Sequence, residues 1–64
     1  MSLRKYLEYL EEKRFAEIYF LNSGLPRSTR SAFLDKYFFY RTYMRRADAA
    51  AKAEQYVRGA EGLG

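Results

Sequence analysis

Arg30, Arg41, Arg45 and Lys52 recur at spacings that place them on one face of a continuous helix, with Leu34, Phe38 and Tyr56 interleaved. Cations alternating with rings suit one chemistry above others: the charges take phosphates while the rings stack on unpaired bases. Asp48 stands in the middle of that face. A solvated charged face with arginine stems lying along it produces the same pattern and is the plainer reading. Catalysis has little to work with. The chain contains no His and no Cys, so the usual nucleophile–base couples, ordinary zinc sites and disulfides are all missing. Glutamates at helical spacing are commonplace, and nothing resembles a glycine-rich phosphate loop. No catalytic residue, metal or cofactor is expected.

A second constellation is the corner "SGLPRSTRSAFL", Ser23 to Leu34. It resembles the turn and recognition-helix start of the isocitrate-lyase-regulator type of winged-helix repressors. The resemblance implies a turn at Gly24, Ser28 and Thr29 near DNA phosphates, and Arg27 at the groove edge. The chain departs from that family at Phe20, where the family keeps a small residue, and at Arg30, where it keeps a buried aliphatic. A chain of 64 residues also has no room for the additional helix and the wing. Proline at the first helical position followed by hydroxyls is, besides, a general helix start. The bend of a helical hairpin is therefore preferred to a DNA-reading turn.

The elements that must position these groups are helical. From Leu3 to Asn22 there is neither Gly nor Pro, Ser2 is a candidate N-cap, and Gly24 suits a left-handed stop. Leu3, Leu7, Leu10, Ile18 and Leu21 form one stripe, with Arg14 on it and Glu17 at its edge. That stripe is the candidate inner face. Glu8, Glu11 and Glu12 read as a solvated acidic patch on the far side, supported by Arg4–Glu8 at i,i+4. Phe15 and Tyr19 lie opposite the stripe and Phe20 on a third side, so this end is apolar all round and needs cover all round.

After Pro26 no Gly or Pro appears until Gly59, which predicts a second helix of about 30 residues, ~45 Å against ~30 Å for the first. It carries a heptad seam, Phe33, Tyr37, Tyr40, Met44, Ala47 and Ala51, and a second line, Phe39, Tyr43, Ala50 and Val57. Its alanine-rich end, 49–58, is expected to overhang, with Asp48–Lys52 and Glu54–Arg58 at the supporting i,i+4 spacing.

The fold expected is all-α: an antiparallel helical hairpin with helices at about 3–22 and 27–58. Residues 1–58 form one domain and 59–64 a flexible tail. Leu7, Leu10, Ile18, Leu21, Phe33, Tyr37, Tyr40 and Met44 are the expected intrachain core. A chain this short is marginal alone, and seven Tyr and five Phe exceed what two helices hide from water. A second copy completing a four-helix bundle, or a docked protein, is the expected remedy. The surface for it is Phe15, Tyr19, Phe20, Phe39, Tyr43, Arg46 and Val57.

The net charge of +4 resides wholly in residues 25–64, where eight basic groups meet four acidic ones. An anionic partner is therefore the competing expectation: a nucleic acid met by Arg27, Ser28, Thr29 and Arg30, or by Arg41, Arg45 and Lys52. No apolar stretch approaches a membrane span and no leader is expected, so the protein is expected to be soluble and cytoplasmic. The functional expectation is a non-catalytic helical protein-interaction module, an adaptor, inhibitor or assembly subunit. The alternative is a nucleic-acid-binding module.

Overall fold

A computed structural model describes residues 2–62. They form three α-helices: α1 (Leu3–Ser23), α2 (Arg30–Arg41) and α3 (Arg46–Ala60), with one short 3-10 turn, Arg27–Thr29, ahead of α2. No strand occurs among the described residues. The fold is all-α, as expected, but it has three helices where two were expected.

The first helix follows its local signals. Ser2 is extended (φ −76°, ψ 154°), and its hydroxyl accepts from the Lys5 N–H at 3.3 Å. That satisfies one of the amide donors a helix start leaves without a partner. At the other end Gly24 has φ 79°, a left-handed conformation that any Cβ would strain. The Ser23 hydroxyl donates to the Phe20 carbonyl at 2.6 Å and accepts from the Leu25 N–H at 3.2 Å, tying the turn together. The Thr29 hydroxyl donates to the Pro26 carbonyl at 2.6 Å, and Thr29 itself is buried.

The expected helix 27–58 is broken at residues 42–45, and this corrects the hairpin. The end of α2 tightens: Thr42 and Tyr43 donate to the carbonyls of Phe39 and Tyr40 at 3.3 and 3.1 Å, three residues back. The Thr42 hydroxyl takes the Phe39 carbonyl at 2.7 Å, and Arg41 Nη1 takes the Met44 carbonyl at 2.9 Å. Arg45 is extended (φ −68°, ψ 159°), and α3 starts behind it with Asp48 in its first turn. No residue of this turn has positive φ, so it required neither Gly nor Asn and left no such mark in the sequence.

The break pays for itself through packing. Folded back, α3 lays Ala49, Ala50, Ala53 and Val57 against α2, and the α2–α3 pair makes the most extensive contact of the molecule. Alanines let the two backbones approach until Phe33 and Tyr37 are sealed. Full burial of a side chain such as Phe33 is worth about 1.5–3 kcal/mol. A straight helix would have left those alanines and Val57 in water.

The break also resets the helical phase. Ala47 and Ala51, expected on the seam, are exposed, while Ala49, Ala50 and Ala53 are inside. The expected overhang is thus a packed helix. It runs through Gly59 to Ala60, past the expected start of the tail, whose residues 63 and 64 lie outside the described residues, as does Met1.

The core consists of Ala16, Phe20, Leu25, Phe33, Tyr37, Ala49, Ala50, Ala53 and Val57. Phe15, Tyr19, Leu34, Phe38, Tyr40 and Met44 pack around it half-buried. Leu7, Leu10, Ile18 and Leu21, expected inside, are exposed. α1 turns its opposite face, Glu12, Phe15, Ala16, Tyr19 and Phe20, to α2 and α3. Tyr19 stacks on Phe33 with centroids 5.9 Å apart, Phe20 tilts against Phe33 at 5.5 Å, and Phe15 meets Tyr37 at 6.1 Å.

Candidate functional site

Two carboxylate–tyrosine clusters tie α1 to the other helices, one towards each end of the packed region. Glu12 accepts from the Tyr37 hydroxyl at 2.5 Å, from Arg41 Nε at 3.1 Å and from Arg46 Nε at 2.9 Å. The two arginines flank the 42–45 turn, so one glutamate of α1 pins the place where the chain reverses. Burial alone would push the Glu12 carboxyl up, but the hydrogen bonds from Tyr37, Arg41 and Arg46 outweigh it and hold the group below its ordinary 4.5. The Tyr37 phenol is pushed up, first by burial and then by its bond to Glu12. Charge-assisted bonds of this kind are stronger than neutral ones.

Near the far end of α3, Glu54 accepts from the Tyr19 hydroxyl at 2.7 Å and from Arg58 Nε at 2.8 Å. Arg58 Nη2 continues to the Ser23 carbonyl at 2.8 Å, capping the C-terminus of α1 where a cation is favoured. The Tyr19 bond, first of all, and the Arg58 charge lower the Glu54 carboxyl. Burial and Glu54 raise the Tyr19 phenol to about 12. Both clusters saturate their own hydrogen bonds, and no buried side-chain polar atom among the described residues lacks a partner. They are ties between α1 and the other two helices.

Glu12 is a residue the sequence reading placed wrongly, in a solvated patch. Its signal was its position on the same face as Ala16 and Tyr19, opposite the leucines. Asp48 was read as half of an i,i+4 pair with Lys52, although an acid in a helix's first turn is also a start signal.

The expected nucleic-acid contacts are distributed differently from the sequence reading. Arg30 pairs with Glu17 and Arg41 with Glu12, both on α1. Arg45 is the last residue of the turn and Lys52 lies on α3, both exposed, so the four cations no longer share one helix face. Arg27 and Ser28 are exposed, Thr29 is buried, and a shallow groove between Phe20, Leu21, Leu25, Arg27 and Arg30 lies beside them.

Of the expected protein-contact residues, Phe20 and Val57 are buried in the core, which removes them from any surface. Phe15 and Tyr19 are half-buried against it, and Arg46 is engaged by Glu12. Phe39 and Tyr43 are exposed, Tyr43 by 62%, and pack edge to face at 6.0 Å. Lys36 sits 4.2 Å from the Tyr56 centroid and 5.7 Å from that of Phe39, spanning the two helices with cation–π contacts.

The largest aliphatic surface is the outer face of α1. Leu3, Leu7, Leu10, Ile18 and Leu21 are all exposed, from 39% at Leu10 to 78% at Leu21. No described residue covers them. Among the described residues no helix is long and apolar enough to cross a membrane, and no acidic group of three or more is placed to hold a metal.

Comparison with protein-family models, with curated proteins and with solved structures finds no match to the chain.

Proposed function

We propose that the protein is a non-catalytic interaction module whose partner is protein. The observation that carries this reading is the leucine face of α1, exposed along the whole helix on the side away from α2 and α3. Exposed apolar surface of this kind, crossed and rimmed by charge, is what protein-binding sites present. Phe39 and Tyr43 supply a second exposed ring pair of the sort that anchors interfaces. The saturated polar clusters fit a scaffold that is held rigid and does no chemistry. A self-associating copy and a different protein are both partners of this class.

The nucleic-acid alternative draws on the basic excess and the corner residues. Its strongest members, Arg30 and Arg41, are occupied by α1 carboxylates, which favours the protein reading.

The test is capture from the native source with and without nuclease, repeated with Leu7→Ser and with Phe39→Ser. The expected result is a protein that survives nuclease, binds with little salt dependence and is lost with at least one substitution. Loss of everything on nuclease treatment, with binding that falls steeply as salt rises, would overturn the proposal.

A further inference from the structure

The outer face of α1 has a register as well as a composition. Leu3, Leu7, Leu10, Arg14, Glu17 and Leu21 recur at alternating intervals of four and three, the seam spacing of a two-helix coiled coil. The two charged seam positions discriminate between alignments. A parallel pair would set Arg14 against Arg14 and Glu17 against Glu17, two layers of like charge. An antiparallel pair centred at the level of residue 12 sets Leu3 against Leu21, and Leu7 against Glu17, whose carboxylate stays paired with Arg30 of its own copy. It also lays the Arg14 stem over Leu10, with its guanidinium beside Glu11 of the other helix.

Both members of that pair are available. Arg14 is exposed and has no ion-pair partner among the described residues. Glu11 is 73% exposed and meets only Arg46, at 3.9 Å. The aliphatic side chains of the seam, Leu3, Leu7, Leu10 and Leu21, are exposed, with Ile18 at its flank, so a second copy laid on this face removes them all from water.

We propose that the partner of this face is a second copy of the chain, docked α1 against α1, antiparallel, about a twofold axis at the level of residue 12. This rests on the interaction reading and specifies its occupant. The surface is self-complementary under that axis, which a twofold dimer requires. Each copy keeps α2 and α3 on the outside, so Phe39 and Tyr43 of both remain free for a further partner. The assembly is a six-helix body with a two-helix seam at its centre.

Sedimentation equilibrium over a concentration series reads the dimer, and Leu10→Asp is expected to weaken it roughly a hundredfold by burying an unpaired charge. Leu21→Asp, at the most exposed position of the stripe, gives a second break that leaves the monomer core untouched. Arg14→Glu and Glu11→Lys are each expected to weaken self-association about tenfold, whereas an equimolar mixture of the two associates as the parent does, because each copy supplies the charge the other needs. The chain has no Cys, so single cysteines report register. Leu3→Cys mixed with Leu21→Cys is expected to cross-link, and Leu3→Cys alone is not.

A parent that stays monomeric at every concentration, a mixture no tighter than its components, or a Leu3→Cys self-cross-link would each overturn the proposal. A monomeric parent that still captures a protein through Phe39 would overturn the second copy as occupant and leave the interaction reading standing.

Discussion

The two faces of α1 differ in a way that inverts simple hydropathy. Its inner face mixes Glu12, Phe15, Ala16, Tyr19 and Phe20, while its outer face is mostly leucine and isoleucine. The mixed face is the one the chain buries. Rings supply more area per residue than leucine, and two of the rings that meet across this face, Tyr19 and Tyr37, end in hydroxyls that find carboxylates at 2.7 and 2.5 Å. The aliphatic face has no in-chain counterpart because α2 and α3 present rings and alanines, and those fit the other side. The lesson is that burial followed complementarity of shape and hydrogen bonding between helices rather than hydropathy along one of them.

Four changes break or sharpen that contrast. Phe33→Ala removes the ring against which both Tyr19 and Phe20 pack, and is expected to cost about 3–5 kcal/mol. Chemical denaturation of a protein this small would then show no folded baseline. Ala53→Leu overfills a fully buried position of the core and is expected to cost about 1–3 kcal/mol, read from the same denaturation curve. Glu12→Ala strips the acceptor from a buried phenol and two arginines, for about 2 kcal/mol, and its melting temperature should depend less on acid, with the part due to Glu54 remaining. At the other extreme, Leu21→Ala on the outer face is expected to change monomer stability by less than about 0.5 kcal/mol while weakening association. A large loss of monomer stability there would erase the distinction between the faces.

The pH profile separates the faces without mutation. Glu12 and Glu54 are held below their ordinary 4.5 in the folded chain. Their contribution is therefore complete above that value and is lost as pH falls through their lowered folded values. Tyr19 and Tyr37 are raised above their ordinary 10. Their contribution is complete below 10 and is lost as pH rises past it towards the folded value of Tyr19, about 12. Thermal melts are thus expected to be flat across neutral pH and to fall at both ends, with Glu12→Gln blunting the acid limb. The ion pairs are partly exposed, so these limbs are shallow.

Legibility in the sequence followed locality. The Ser2 cap, the Gly24 stop, the Arg4–Glu8 and Glu54–Arg58 pairs and the burial of Phe33 and Tyr37 were all readable from spacing and residue type. The turn at 42–45 was not, since its geometry suits any residue and carries no Gly or Pro. From that omission came the wrong phase for the alanines, Val57 assigned to the surface and the cationic stripe drawn along one helix, while Phe20 was misplaced with the face of α1.

The amino-acid order alone determined that the chain is helical, where its first helix begins and ends, and that it holds no His or Cys. Capping, propensity and composition act within a few residues and leave their marks there. Only the tertiary structure decided which face of α1 is inner and where the second half of the chain reverses. Those choices depend on contacts between residues such as Glu12 and Arg46, far apart along the chain and 2.9 Å apart in space. Neither residue type nor spacing records that the two will meet.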